Sequence, residues 1–172
     1  IHKNYNLLNT SKNMFKIHGH SLLKVKDIDG CLMLLNKKKL KKSKILDENF
    51  FLYFETTDFC FNLIKKKHNL YVVKELEFVH LGTNSSDKKY QHHINLNRNW
   101  HYSWSKFYFF KKNYNYVYDL KKILPNICQG LIGAILSILK FNFTQTSLHL
   151  ASISGSMNSI FLKKPNYRPK IK

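Results

Sequence analysis

The sequence predicts an α/β fold followed by amphipathic and apolar helices. Three observations predict it: short apolar runs alternating with a helical pattern between residues 31 and 81, a helical apolar period starting at Arg98, and two long uncharged stretches after Lys122. At 172 residues the chain is long enough for one domain with a real core. Its 44% apolar and 15% aromatic content excludes a disordered basic tail.

Residues 1–26 mix Asn, Lys and His without a sustained period and carry no assigned element. After Gly30, the continuous apolar run Cys31-Leu32-Met33-Leu34-Leu35 reads as a buried strand. Six lysines between 37 and 44 make a solvated helix or turn. The aromatic run Phe50-Phe51-Leu52-Tyr53-Phe54 reads as buried on both sides, and it stops at Glu55-Thr56-Thr57-Asp58. Thr56 and Thr57 can cap a helix near 57–67 whose Phe59, Cys60, Leu63 and Ile64 share one face. Lys65, Lys66 and Lys67 suit the negative end of its dipole. Tyr71-Val72-Val73 and Glu77-Phe78-Val79-His80-Leu81 read as strands, and residues 82–86 as a loop.

From Arg98 onward Trp100, Trp104, Phe107, Tyr108 and Lys111 recur at helical spacing. This stripe reads either as core packing or as an interfacial anchor. Ile123 to Leu139 is a run of 17 residues without a charge, and a second uncharged run covers 141–162. Pro125, Asn126 and Gln129 weaken the first as a span, and many Ser and Thr weaken the second. Both read as helices lying on a membrane or pairing in it, or as a soluble hairpin packed on the domain. Gly130/Ala134 and Gly155/Ser159 have the small-residue spacing that lets helices approach closely.

The net charge of +19 raises a nucleic-acid reading, an RNA- or ribosome-associated basic protein. Lys supplies 27 of the 29 basic residues, beside 18 Asn and only 2 Ala, the composition of an AT-rich coding sequence rather than of a designed positive field. The charge is also uneven: residues 1–44 carry +9, residues 45–87 carry −3 and residues 88–172 carry +13. Seven of ten carboxylates in the middle segment point to a local need for negative charge and away from one continuous basic face. Cys31, Cys60 and Cys128 are too widely spaced for a zinc knuckle or a disulfide framework, so reduced buried thiols and a cytosolic setting are expected.

Several ordered segments carry a resemblance. Asp29 to Asn36 (DGCLMLLN), Leu46 to Cys60 (LDENFFLYFETTDFC) and Val79 to Ser86 (VHLGTNSS) resemble family-2 glycosyltransferases of the rhamnosyltransferase-like bacterial branch, in order and in spacing. Asn97 to Lys112 is similar to the helix that follows in that branch, and Ser159 to Lys170 to its C-terminal tail. The resemblance covers roughly residues 27–170 and implies the C-terminal, acceptor-side part of a GT-A (nucleotide-diphospho-sugar transferase) domain. It divides the chain into an unassigned segment 1–26, an acceptor-side part 27–97 and a C-terminal helical region 98–172 that associates with a membrane. Asp27-Ile28-Asp29 spells the D-x-D of such enzymes but lies only 26 residues before Glu55, too close for the family's metal motif. The chain therefore reads as a fragment, inactive alone, whose donor site lies mostly in a missing N-terminal half. No signal peptide is visible in it.

The resemblance implies inverting, metal-dependent transfer of a sugar from a nucleotide-sugar donor to a cell-surface glycan or lipid-linked acceptor. It implies a cytoplasmic enzyme, peripheral at the inner face of the cell membrane, with no nucleic-acid partner. Such transfer needs a carboxylate to deprotonate the acceptor hydroxyl and a divalent cation to neutralise the departing diphosphate. Glu55 and Asp58 stand three apart, so one helical turn shows both to the same cleft. Position 56, acidic in the family, is Thr here, which leaves Glu55 or Asp58 as the base. By the resemblance His80 is a ligand to Mn²⁺ or Mg²⁺, Asp29 and Gly30 line the acceptor cleft, and Gly82, Ser85 and Ser86 form a loop over the donor diphosphate. The pairs His18/His20 and His92/His93 lack a third ligand at sensible spacing and read as surface residues.

Overall fold

A computed structural model describes residues 14–40, 45–79 and 88–169. It is a mostly helical α/β chain with one small antiparallel sheet, made of two compact units: Ile1–Leu46 with Thr56–Leu81, and Asp47–Glu55 with Gly82–Lys172. The GT-A architecture is a finer statement than these elements carry.

The first unit begins with a hairpin in the segment to which the sequence assigned nothing. Strands β1 (Met14–Ile17) and β2 (His20–Val25) pair antiparallel with Ile17 opposite His20. The two turn residues, His18 at φ 48° and Gly19 at φ 84°, are both left-handed, the geometry whose twist suits a two-residue hairpin. β2 pairs in turn with β3 (Leu70–Val73), giving the order β1-β2-β3. A short helix α1 (Lys37–Leu40) starts after Asn36, whose side chain accepts from the Lys39 amide.

Helix α2 (Glu55–Lys65) lays Phe59, Cys60 and Leu63 against Leu70 of β3, and Val25, Ile28, Met33 and Leu40 close that core. Ile64, expected on the same face, is exposed. The helix ends as the lysine cluster predicts, with Lys67 left-handed at φ 63° and the amides of Lys67 and His68 returning to the carbonyls of Ile64 and Leu63.

Two expected strands are corrected. Among the described residues the run 31–35 pairs with no strand and is mostly exposed, Leu34 to 93%; only Met33 turns into the core. Residues 77–79 likewise form no strand and lie exposed; 80 and 81 are outside the described residues. The thiols differ from expectation as well: Cys60 is buried, but Cys31 and Cys128 are exposed.

The second unit packs three long helices, α3 (Gln91–Asn113), α4 (Tyr116–Leu139) and α5 (Phe143–Ile160). They meet through small residues, as the spacing predicted. Gly155 sits directly on the Trp100 backbone carbonyl, and a Cβ on Gly130 would come within 2.9 Å of Ile153 Cγ1. The aromatic stripe of α3 is core and not an anchor: Trp100, Trp104 and Phe107 are buried. Trp100 Nε1 donates to Ser154 Oγ at 3.2 Å, and Trp104 Nε1 donates to the Lys163 carbonyl at 2.9 Å. The C-terminal tail lies along the same helix, with Tyr167 stacked on Trp100 at 5.3 Å and the Arg168 guanidinium 3.6 Å over the Phe51 ring.

Candidate functional site

The aromatic run before Glu55, expected to be buried on both sides, is buried only at Phe50: Phe51 is exposed and residues 52–54 are half-buried. Tyr53 and Phe54 both hold φ 66°, a left-handed conformation that bulky residues adopt at a cost of about 1–3 kcal/mol each, so the chain turns sharply into α2. The surroundings in the second unit hold it there. Ser105 Oγ donates to the Leu52 carbonyl at 2.7 Å, while Tyr53 and Phe54 pack their rings on Tyr102 at 5.6 and 5.5 Å.

Glu55 is thereby fixed as the first residue of α2, and its Oε2 is buried with no hydrogen-bond partner. Burial pushes the Tyr53 hydroxyl above its ordinary value; the field of Arg98 opposes this and those of Glu55 and Tyr102 add to it. Tyr53, Glu55 and Arg98 thus form one electrostatic neighbourhood. A carboxylate with an unengaged, desolvated lone pair is what proton abstraction from a hydroxyl requires.

The rest of α2 belongs to the first unit. Asp58 is buried, and its Oδ2 accepts from Asn62 Nδ2 at 3.0 Å. Residues 27–31 lie against the start of this helix: Thr57 Oγ1 donates to Asp27 Oδ2 at 3.2 Å, and a Cβ on Gly30 would stand 2.5 Å from Thr56 Cγ2. A larger residue there would have to displace the Thr56 side chain. Asp29 Oδ1 accepts from the Cys31 amide at 3.2 Å. The structure therefore brings Gly30 to Thr56 and Asp27 to Thr57, across about 30 residues of sequence.

His80, Gly82, Ser85 and Ser86 lie outside the described residues. Among the described residues no three His, Cys, Asp or Glu side chains gather as metal ligands. Of the histidine pairs, His18 and His20 are exposed as expected; His92 and His93 are half-buried instead, with Ser147 Oγ 3.3 Å from His92 Nε2.

Sequence reasoning missed four features of the second unit. Asp47 clasps the start of this segment onto α3, accepting from Lys112 Nζ at 2.7 Å, Tyr108 OH at 3.0 Å and both nitrogens of Asn49. Burial would raise its carboxyl, but these donors outweigh burial and hold it at about 2 instead of 3.8. That depression stabilises the fold above pH 3.8, and the contribution disappears as pH falls through about 2. Asp47→Ala is expected to cost about 2 kcal/mol at neutral pH, read as a fall of roughly 4–8 °C in Tm. An unchanged Tm would show that the clasp adds nothing.

The second feature is His101, fully buried, whose Nε2 lies 3.1 Å from the Tyr167 carbonyl and 3.2 Å from Arg168 Nη1. Burial keeps its imidazole below the usual histidine value; the Tyr167 carbonyl opposes that and Arg168 adds to it. Third, a hollow of about 220 Å³ between the three helices is lined by both polar and apolar residues, among them Tyr102, Ser103, Lys106, Ile123 and Asn126. Burial and then the Lys122 charge hold the Lys106 ammonium below its ordinary value there. The fourth is Asp119 in the first turn of α4, fully buried, with both carboxylate oxygens unpartnered. None carries a local sequence signal, because each depends on contacts made dozens of residues away or on burial alone.

No protein-family model, curated protein or solved structure matches this chain.

Proposed function

We propose that this chain supplies the acceptor side of a family-2-type glycosyltransferase, which moves a sugar from a nucleotide-sugar onto a glycan or lipid-linked hydroxyl. The observation that carries the proposal is Glu55: a buried, unpaired carboxylate oxygen on the first residue of a helix, presented by two strained aromatic residues. In this reading Glu55 takes the proton of the acceptor hydroxyl as its oxygen attacks the anomeric carbon, and the nucleoside diphosphate departs from the opposite face. Asp58, already engaged by Asn62, is a positioning residue for the helix rather than a second base. By the resemblance, Asp29 and Gly30 border the acceptor. A Mn²⁺ or Mg²⁺ ion, when bound, supplies charge neutralisation at the leaving diphosphate, with His80 as one of its ligands.

The test is transfer of a labelled sugar from a panel of nucleotide-sugars by the complete open reading frame that encodes this chain. Glu55→Gln is expected to lower kcat by about 10²-fold or more with little change in KM. His80→Ala is expected to raise the divalent-cation requirement. Turnover in Glu55→Gln equal to that of the unaltered protein would reject the assignment of the base.

A further inference from the structure

We infer that α4 and the turn joining it to α5 seat in the surface of an anionic lipid bilayer. The inference is independent of glycosyl transfer. It rests on how α4 divides its side chains. Ile123, Gly130, Ala134 and Ser137 are buried in the helix packing, whereas Val117, Leu124, Leu131, Ile132, Ile135 and Leu139 are exposed. Small residues face the protein and large apolar ones face outward, the reverse of a helix made to face water. α4 is long and apolar enough to cross a membrane by length and composition, yet only 22% of its most apolar window is buried.

The turn continues the apolar face. Phe141 is 81% exposed and left-handed at φ 53°, with Phe143 exposed beside it. The amides of Phe141 and Asn142 return to the carbonyls of Ile138 and Ser137, a helix ending that glycine serves best. Neither core packing nor backbone geometry accounts for a phenylalanine there.

Charge selects the occupant. Lys121, Lys122 and Lys140 are exposed at the two ends of the uncharged run, the carboxylate of α4, Asp119, is buried, and no acid follows Asp119 in the sequence. A cationic rim around an apolar face fits anionic headgroups over acyl chains. Insertion is in the plane of the leaflet rather than across it. The other side of α4 is packed on α3 and α5, which leaves one face for lipid.

Flotation of the 172-residue chain with vesicles tests this directly. It should float with phosphatidylglycerol–phosphatidylcholine vesicles and much less with phosphatidylcholine alone. Ile132→Ser with Ile135→Ser should weaken partitioning by about tenfold or more. Lys121→Gln, Lys122→Gln and Lys140→Gln should each cost up to about fivefold, on the anionic vesicles only. Phe141→Gly should reduce flotation while leaving Tm equal or higher, which separates lipid contact from folding. Absence of flotation, or flotation untouched by these variants, overturns the inference. So does a soluble dimer dissociated by the Ile132/Ile135 pair, since a second copy would then be the occupant.

Discussion

Gly155→Ala is expected to destabilise the fold more than any other single-methyl addition in the three-helix unit. A Cβ at this position collides with the Trp100 carbonyl, and the nearest atoms after it are the Trp100 carbonyl carbon and Cα. Backbone cannot step aside as a side chain does, so α3 and α5 must separate. Trp100, Trp104 and Ala151, which form the core between them, then lose contact together. The expected cost is about 3 kcal/mol or more, a fall in Tm of roughly 6–12 °C. Gly130→Ala is the internal control. Its new Cβ meets Ile153 Cγ1 at 2.9 Å, a side-chain atom that can shift further than the Trp100 backbone, so the expected loss is smaller, about 1–2 kcal/mol. Equal melting temperatures for the two variants would show that the α3–α5 contact is not the tight one.

Asp119 carries the second large effect, and it depends on pH. Burial raises its carboxyl from 3.8 to about 7, against a smaller opposing pull from Lys111. The folded state therefore holds a proton that the unfolded chain releases. Stability from this group is full below pH 3.8 and is lost progressively as pH rises through about 7. The penalty above that point is on the order of 3 kcal/mol. Asp119→Asn, which cannot ionise, should match the unaltered protein in Tm near pH 4 and exceed it by roughly 6–12 °C at pH 8. His101 acts in the opposite sense: its depressed value removes stability as pH falls below 6.5. The difference between variant and parent isolates Asp119 from that background. A difference that stays constant from pH 4 to pH 8 would mean that the carboxylate finds a partner when it ionises.

How much of this was legible in advance differs by element. Helix α2 was readable because one stripe, Phe59, Cys60 and Leu63, followed by three lysines, states both its buried face and its end. Of the three later helices the first was readable from periodicity and the other two from their long uncharged runs, and their close approach from the small residues at 130, 134, 155 and 159. The hairpin at 14–25 was not, since β1 is exposed at every position and supplies no alternation; only the His18-Gly19 turn could have signalled it. The run 31–35 misled for the converse reason: apolar content marks a strand only where the run pairs with a neighbouring edge, and among the described residues it joins neither edge of the sheet.

The candidate site divides the same way. Glu55 and Asp58 could be singled out from sequence by residue type, spacing and position at a helix start. That Glu55 keeps an unpaired buried oxygen is a tertiary result, set by the left-handed pair Tyr53-Phe54 and by the packing of that segment on α3, whereas Asp58 is held locally by Asn62, one helical turn on. Local patterning by itself indicated the helices and the buried stripes of α2 and α3, because those follow from periods of a few residues. Only the tertiary structure decided which carboxylates are clasped, orphaned or desolvated, as at Asp47, Glu55 and Asp119, because desolvation depends on neighbours that no short stretch of sequence contains.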